Sequence, residues 1–144
     1  MMQARQGDML ICSVPAIPTT AKRQDQCVLA LGEATGHAHR INAGATLFLD
    51  EDERKYFHVN DPPHVGPLPA TLLSDAETSF LVATALGTIR FDKQAAVYHA
   101  GLVETPPFAL LEHEEHHCEA YPEGFYAVIQ QQEYTPREIR HVTD

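Results

Sequence analysis

The chain has 144 residues, enough for one domain that buries its own core without disulfides or a structural metal. Ten Lys and Arg against twenty Asp and Glu give a formal net charge of −10. That excess disfavours a passive duplex-nucleic-acid binder, which works by neutralising phosphates, and it suits a chain not drawn to anionic membrane surfaces. Three cysteines, Cys12, Cys27 and Cys118, form no CxxC pair. With no hydrophobic signal region near the start and no apolar run approaching the roughly 20 residues of a membrane span, a cytoplasmic protein with no membrane partner is expected.

In chain order, residues 8–14 (DMLICSV) form a short apolar run closed by Pro15 and Pro18, and read as the first strand. Residues 15–26 are polar and read as a loop. Residues 27–34 (CVLALGEA) begin as a buried strand. Thr35-Gly36 can bulge or turn the chain, His37-Ala38-His39-Arg40-Ile41 alternates, and Asn42-Ala43-Gly44 is a turn signal. Residues 45–50 are a further strand. The acidic run Asp50-Glu51-Asp52-Glu53 reads first as a solvated turn, with a hard-cation site as the lesser alternative. Residues 55–59 (KYFHV) alternate Tyr56 and His58 against Phe57 and Val59.

Residues 60–69 (NDPPHVGPLP) hold four prolines and a glycine, and cannot be a regular element. They open a Pro-rich insertion over about 60–108 in an otherwise continuous domain 1–144. Within it, residues 70–86 allow either a short helix capped at Ser74 and Asp75 or a strand at 80–84. Residues 87–91 alternate as a strand, and 92–103 are unassigned. Phe108 to Leu111 lead into Glu112 and the second histidine stretch. Pro122-Glu123-Gly124 is a turn, 125–134 a strand, and 137–144 a polar tail with one helical turn. Short strands with Gly and Pro punctuation and few helices point to a mainly β fold, a single-domain β-sandwich or small β-barrel. Sheet edges in either make a homodimer plausible.

Five of the nine histidines fall in two stretches, Gly36-His37-Ala38-His39 and His113-Glu114-Glu115-His116-His117. On a strand, residues i and i+2 share a face, so His37 and His39 offer two imidazoles to one ligand. In an extended second stretch His113, Glu115 and His117 share one face and Glu114 and His116 the other. In a helical turn His113 pairs with His116 or His117 instead. The expectation is that the fold brings the two stretches together. His37, His39, His113 and His116 are the candidate ligands for a divalent metal (Zn, Fe, Ni or Mn). Glu33 and Glu115 are the candidate catalytic carboxylates.

The leading function is therefore a metal-dependent enzyme, cupin-like or a small metallohydrolase, acting on a small molecule or nucleotide. A metal-independent alternative uses paired histidines as general acid and base in phosphodiester cleavage, with Thr35, Arg40 and Tyr134 available to stabilise charge. A non-catalytic binding or assembly module is the third reading. His58, His64, His99 and His141 read as incidental. Cys12 and Cys27 read as small core hydrophobes, and Cys118 as a bystander with a lesser chance of being a ligand or nucleophile.

Gly36-His37-Ala38-His39, with His113 or His116 and then Pro122-Glu123-Gly124, loosely resembles the cupins, small β-barrels that hold a metal between a Gly-led His-x-His and a later histidine. Two departures stand out: residues 40–49 contain no carboxylate, and the Pro-x-Gly turn follows the second histidine stretch. The pattern Gly32-Glu33-Ala34-Thr35-Gly36-His37-Ala38-His39, then Leu111 to His116, then 124–136, is also similar to small uncharacterised bacterial proteins, a likeness that implies no activity.

Overall fold

The computed structural model describes residues 3–6, 9–31, 38–113, 116–130, 132–134 and 139–141. These residues form strands, turns and loops with no helix. In chain order the strands are β1 (Gln3–Gln6), β2 (Met9–Val14), β3 (Lys22–Arg23), β4 (Val28–Leu31), β5 (Ala38–Ile41) and β6 (Ala45–Leu49). Then come β7 (Lys55–Val59), β8 (Leu68–Asp75), β9 (Ser79–Thr84), β10 (Gly87–Asp92), β11 (Val97–His99) and β12 (Leu102–Glu104). The last are β13 (Phe108–His113), β14 (His116–Pro122), β15 (Gly124–Gln130), β16 (Gln132–Tyr134) and β17 (Ile139–His141).

Two main sheets result. A six-stranded sheet runs β1-β2-β15-β7-β6-β3, and a nine-stranded sheet runs β11-β12-β8-β9-β10-β14-β13-β5-β4. Neither closes on itself, so the sandwich-like alternative holds over the closed barrel. No helix among the described residues is long and apolar enough to cross a membrane.

The alternation read in the sequence is the cause of the packing. In β7, Phe57 and Val59 are fully buried while Tyr56 and His58 are half-buried. A first core forms between the sheets. Met9, Ile11, Leu47, Phe57, Val59 and Tyr126 come from the six-stranded sheet; Leu29, Ile41, Ala109, Leu111 and Tyr121 come from the other. Tyr126 Oη donates to the Pro122 carbonyl at 2.7 Å. This bond braces the corner where the chain leaves β14 for β15 and changes sheets.

A second core is built almost wholly by the nine-stranded sheet: Phe80, Val82, Ile89, Phe91, Val103, Phe108, Leu110 and Ala120. Strands from both ends of one sheet can share a core only if the sheet curls over that face. Residues 60–108, expected as an insertion, supply β8 to β12 to this curled sheet. The ambiguous stretch 70–86 is a pair of antiparallel strands, β8 and β9, and carries no helix; Leu72, Val82 and Phe80 satisfy the sheet rather than an apolar helical stripe. The tail also differs from the expected helical turn, because Ile139–His141 pairs with Gln132–Tyr134 as a two-stranded ribbon.

Gly44 sits between β5 and β6 at φ 86°, and its carbonyl accepts from the backbone N–H groups of Asn60 and Asp61. A Cβ there would lie 2.5 Å from the Asp61 carbonyl oxygen. Gly44→Ala combines a left-handed backbone with a clash against main chain. It is expected to cost about 2–3 kcal/mol, read as a lowered urea midpoint at unchanged m-value. A cost under about 0.5 kcal/mol would refute the close approach.

The acidic run at 50–53 is a solvated turn. Asp50 Oδ1 accepts from the backbone N–H groups of Asp52 and Arg54, and Arg54 closes ion pairs to Asp50 and Asp52, each at 3.0 Å. The Asp50 and Asp52 carboxylates are thus engaged by the turn itself.

Candidate functional site

The two histidine stretches meet in the nine-stranded sheet. β5 and β13 are neighbours, with Leu111 opposite Ile41 and Glu112 opposite Arg40. Alternation then puts His39, Ile41, Leu111 and His113 on one face and Arg40 and Glu112 on the other. The rings of His39 and His113 stack with centroids 4.1 Å apart and planes 19° from parallel. Both are buried, at 0% and 7% exposure. The stack is the edge of the first core, where Leu111 and Ile41 continue the same face.

Of the other expected site residues, Glu33, His37 and Glu115 lie outside the described residues. His116 begins β14 and is the register partner of His113 across an irregularity that follows Leu111. Among the described residues no three His, Cys, Asp or Glu side chains converge as a metal site. Of the expected ligands, the described residues bring His39 and His113 together as a stacked pair. The second stretch is extended on both sides of Glu114 and Glu115, since β13 ends at His113 and β14 starts at His116.

His117 has a separate neighbourhood. Its Nε2 accepts from Arg90 Nε at 3.0 Å, and Arg90 Nη1 donates to Ser79 Oγ at 3.1 Å. β10 and β14 run parallel here, with Arg90 opposite Glu119. Glu119 is 2% exposed, and its Oε1 has no hydrogen-bond partner. Burial pushes its carboxyl up to about 8; attraction to Arg90 opposes this and repulsion from Asp92 adds to it. At neutral pH Glu119 is therefore mostly a neutral acid. Two residues on, Tyr121 is fully buried with its hydroxyl also unpartnered, and burial drives its titration well above the ordinary tyrosine range.

Sequence reasoning missed Glu119. Its signal was available: in Cys118-Glu119-Ala120-Tyr121 a lone carboxylate stands inside a half-apolar strand, on the same face as Tyr121.

An open pocket of about 330 Å³ lies on the Arg40 and Glu112 side and reaches His113, where the β13 register shifts; it is lined by Ala38, Arg40, Asn42, Glu112, His113 and Cys118. Arg40 Nε is buried without a hydrogen-bond partner. Glu112 Oε2 instead accepts from Asn42 Nδ2 at 2.7 Å. Cys118 is half-buried, and burial, then Glu112 and Glu119, raise its thiol above the usual value. A thiol held protonated is a poor nucleophile. Cys27 is buried and pushed up to about 12, chiefly by burial, in keeping with a core role.

His58 and His64 have structural roles, stacking on Phe125 at 4.3 Å and tilting over Phe108 at 5.3 Å.

A family profile described as a domain of unknown function (DUF8820) matches residues 5–66. The match takes in the first histidine stretch and ends before the second. No curated protein and no solved structure matches the chain. The likeness to cupins finds no support in these comparisons.

Proposed function

We propose that the protein is a metal-dependent enzyme whose divalent ion is held by imidazoles of the two histidine stretches. The observation that carries this reading is the buried His39–His113 pair, with ring centroids 4.1 Å apart. The pair places one imidazole from each stretch side by side; because the rings are stacked 19° from parallel, one ring must turn out of the stack for both in-plane nitrogens to reach a common ion about 2.0–2.1 Å away. Neutral imidazole suits Zn, Fe and Ni, and a site completed by oxygen ligands suits Mn. In this reading His37 and His116 complete the ligand set, and Glu33 and Glu115 move protons to or from a bound water. The chemistry that follows is hydrolysis of a small molecule or nucleotide in the cytoplasm.

After incubation with metal and desalting, the purified protein is expected to retain about one ion per chain. His39→Gln and His113→Gln should each weaken retention at least tenfold, within the loss expected when one ligand goes. Metal analysis checks both, and the Co²⁺-loaded protein should lose its visible absorption in the same variants. Wild-type protein that retains no metal above buffer would refute the reading.

One observation favours a second, metal-independent reading. The described residues bring together a pair of histidines, and the neighbouring strand carries Glu119, the register partner of Leu111, a buried carboxyl pushed up to about 8. Such groups suit acid–base cleavage of a phosphodiester. Turnover that survives chelation and follows a bell-shaped pH profile distinguishes this chemistry from the metal route.

A further inference from the structure

We propose that the Arg40 pocket is an oxyanion subsite that takes the phosphate or carboxylate group of a small-molecule substrate. The inference rests on reading the adjacent histidine pair as the reaction centre, and it names the class of substrate that centre would act on.

Three observations combine. First, the cavity is of ligand size. At about 330 Å³ it falls at the small end of the roughly 300–1,000 Å³ of small-molecule sites. Second, it contains a cation whose natural partner is engaged elsewhere. Arg40 lies directly across from Glu112 in the β5–β13 register. Yet the Glu112 carboxylate accepts from Asn42, and Arg40 Nε is buried with no hydrogen-bond partner. A buried guanidinium N–H without an acceptor is costly, and a modest shift of the Arg40 side chain would let an oxyanion seated in the pocket supply one. The planar fork of Arg matches the paired oxygens of a phosphate or carboxylate.

Third, His113 lines the same pocket while its ring stacks on His39. A group anchored on Arg40 is thereby placed beside the histidine pair. In a chain of net charge −10, a cation in a pocket also marks where an anion is least repelled. Glu112 is the opposing charge at this site. It limits the affinity for anions held by Arg40 alone.

The test uses the full chain, freed of metal with a chelator, and calorimetric titration with inorganic phosphate and, separately, acetate at constant ionic strength. The wild-type protein should bind at least one of them saturably, with Kd on the order of 1–10 mM. Arg40→Gln should weaken that binding at least tenfold. Arg40→Lys should weaken it less, because the charge stays while the fork is lost. Glu112→Gln should tighten it severalfold. Preference for phosphate over acetate, or the reverse, identifies which group the substrate carries.

Thermal unfolding of each variant checks that the chain is folded. Should Arg40→Gln fail to fold, Arg40→Lys and Glu112→Gln decide the matter by their opposite directions. Saturable binding that is equal in wild type and all Arg40 variants overturns the subsite, as does a wild-type protein that binds neither anion. Metal retention is measured on separate portions of the same preparations, incubated with metal and desalted instead of chelated. Arg40-dependent anion binding in protein that never retains metal overturns the metal reading and leaves the subsite standing. Retained metal with Arg40-independent binding does the reverse.

Discussion

Raising the pH from about 5 to about 9 is expected to weaken the fold by several kcal/mol through a single side chain, Glu119. Its carboxyl titrates near 8 in the folded chain, against 4.5 as its ordinary value. Between those two values the folded state holds a proton that the unfolded state has released, so stability falls as pH rises. Below the lower value both states are protonated and there is no penalty. Above the upper value the folded state carries a buried carboxylate and the penalty is complete. The full effect is on the order of 5 kcal/mol, since each tenfold difference in proton affinity between the two states is worth about 1.4 kcal/mol. The first cause is burial, with Asp92 adding to it and Arg90 relieving part. Glu119→Gln keeps the shape and cannot ionise. Its unfolding free energy should lie within about 1 kcal/mol of the wild type near pH 5, stay flat, and exceed the wild type by about 4–5 kcal/mol near pH 9. Urea unfolding at a series of pH values measures this. A wild-type profile flat across the window, or a Glu119→Gln profile as steep as the wild type's, would contradict the assignment.

The largest loss from a single truncation is expected at Phe57. Its ring is fully buried between the sheets, stacked on Tyr126 with centroids 4.8 Å apart and edge-on to Tyr121 at 5.6 Å. Phe57→Ala removes the shared contact of both tyrosines and leaves a cavity in the first core. The cost is about 3–5 kcal/mol, or roughly 15 °C in the melting midpoint for a chain of this size. Tyr56, one residue earlier, points to the opposite face and is half-buried. Tyr56→Ala should cost less than half as much. Comparable losses at the two positions, measured by thermal melts, would mean that the two faces of β7 are not distinguished as described.

That contrast also shows what was legible before the fold was seen. The strands with clean alternation, such as β7 and β10, could be read residue by residue, because one face meets an apolar core and the other does not. The meeting of the two histidine stretches was anticipated from chemistry alone, and the antiparallel pairing of β5 with β13 accounts for it. The segment 60–108 was opaque for a physical reason. In β8 the hydrophobic residues Leu72 and Leu73 are both exposed, so its pattern does not report a buried face, and its pairing with β9 is irregular between Leu72 and Ser74. β11 and β12 have three residues each, too few for any period. The parallel pairing of β10 with β14, which joins Ile89 to Cys118 and Arg90 to Glu119, links distant residues and leaves no local signature. Without that pairing, the placing of Arg90 against Glu119 could not be anticipated. The emptier side of β5 was equally hidden, since nothing in the sequence says that Glu112 turns to Asn42 rather than to Arg40.

β13 has a consequence for how the molecule comes apart. Its residues alternate between two hydrophobic interiors: Phe108 and Leu110 belong to one, Ala109 and Leu111 to the other. β14 does the same with Ala120 and Tyr121. A party wall of this kind cannot lose the room on one side and keep its plaster on the other. Melting either interior strips water-excluding cover from the strands that line its neighbour. The histidine pair, seated at the end of that wall on β5 and β13, is therefore held by the cooperativity of both halves of the chain, and residues far from it in β8 to β12 share in keeping its two rings in place.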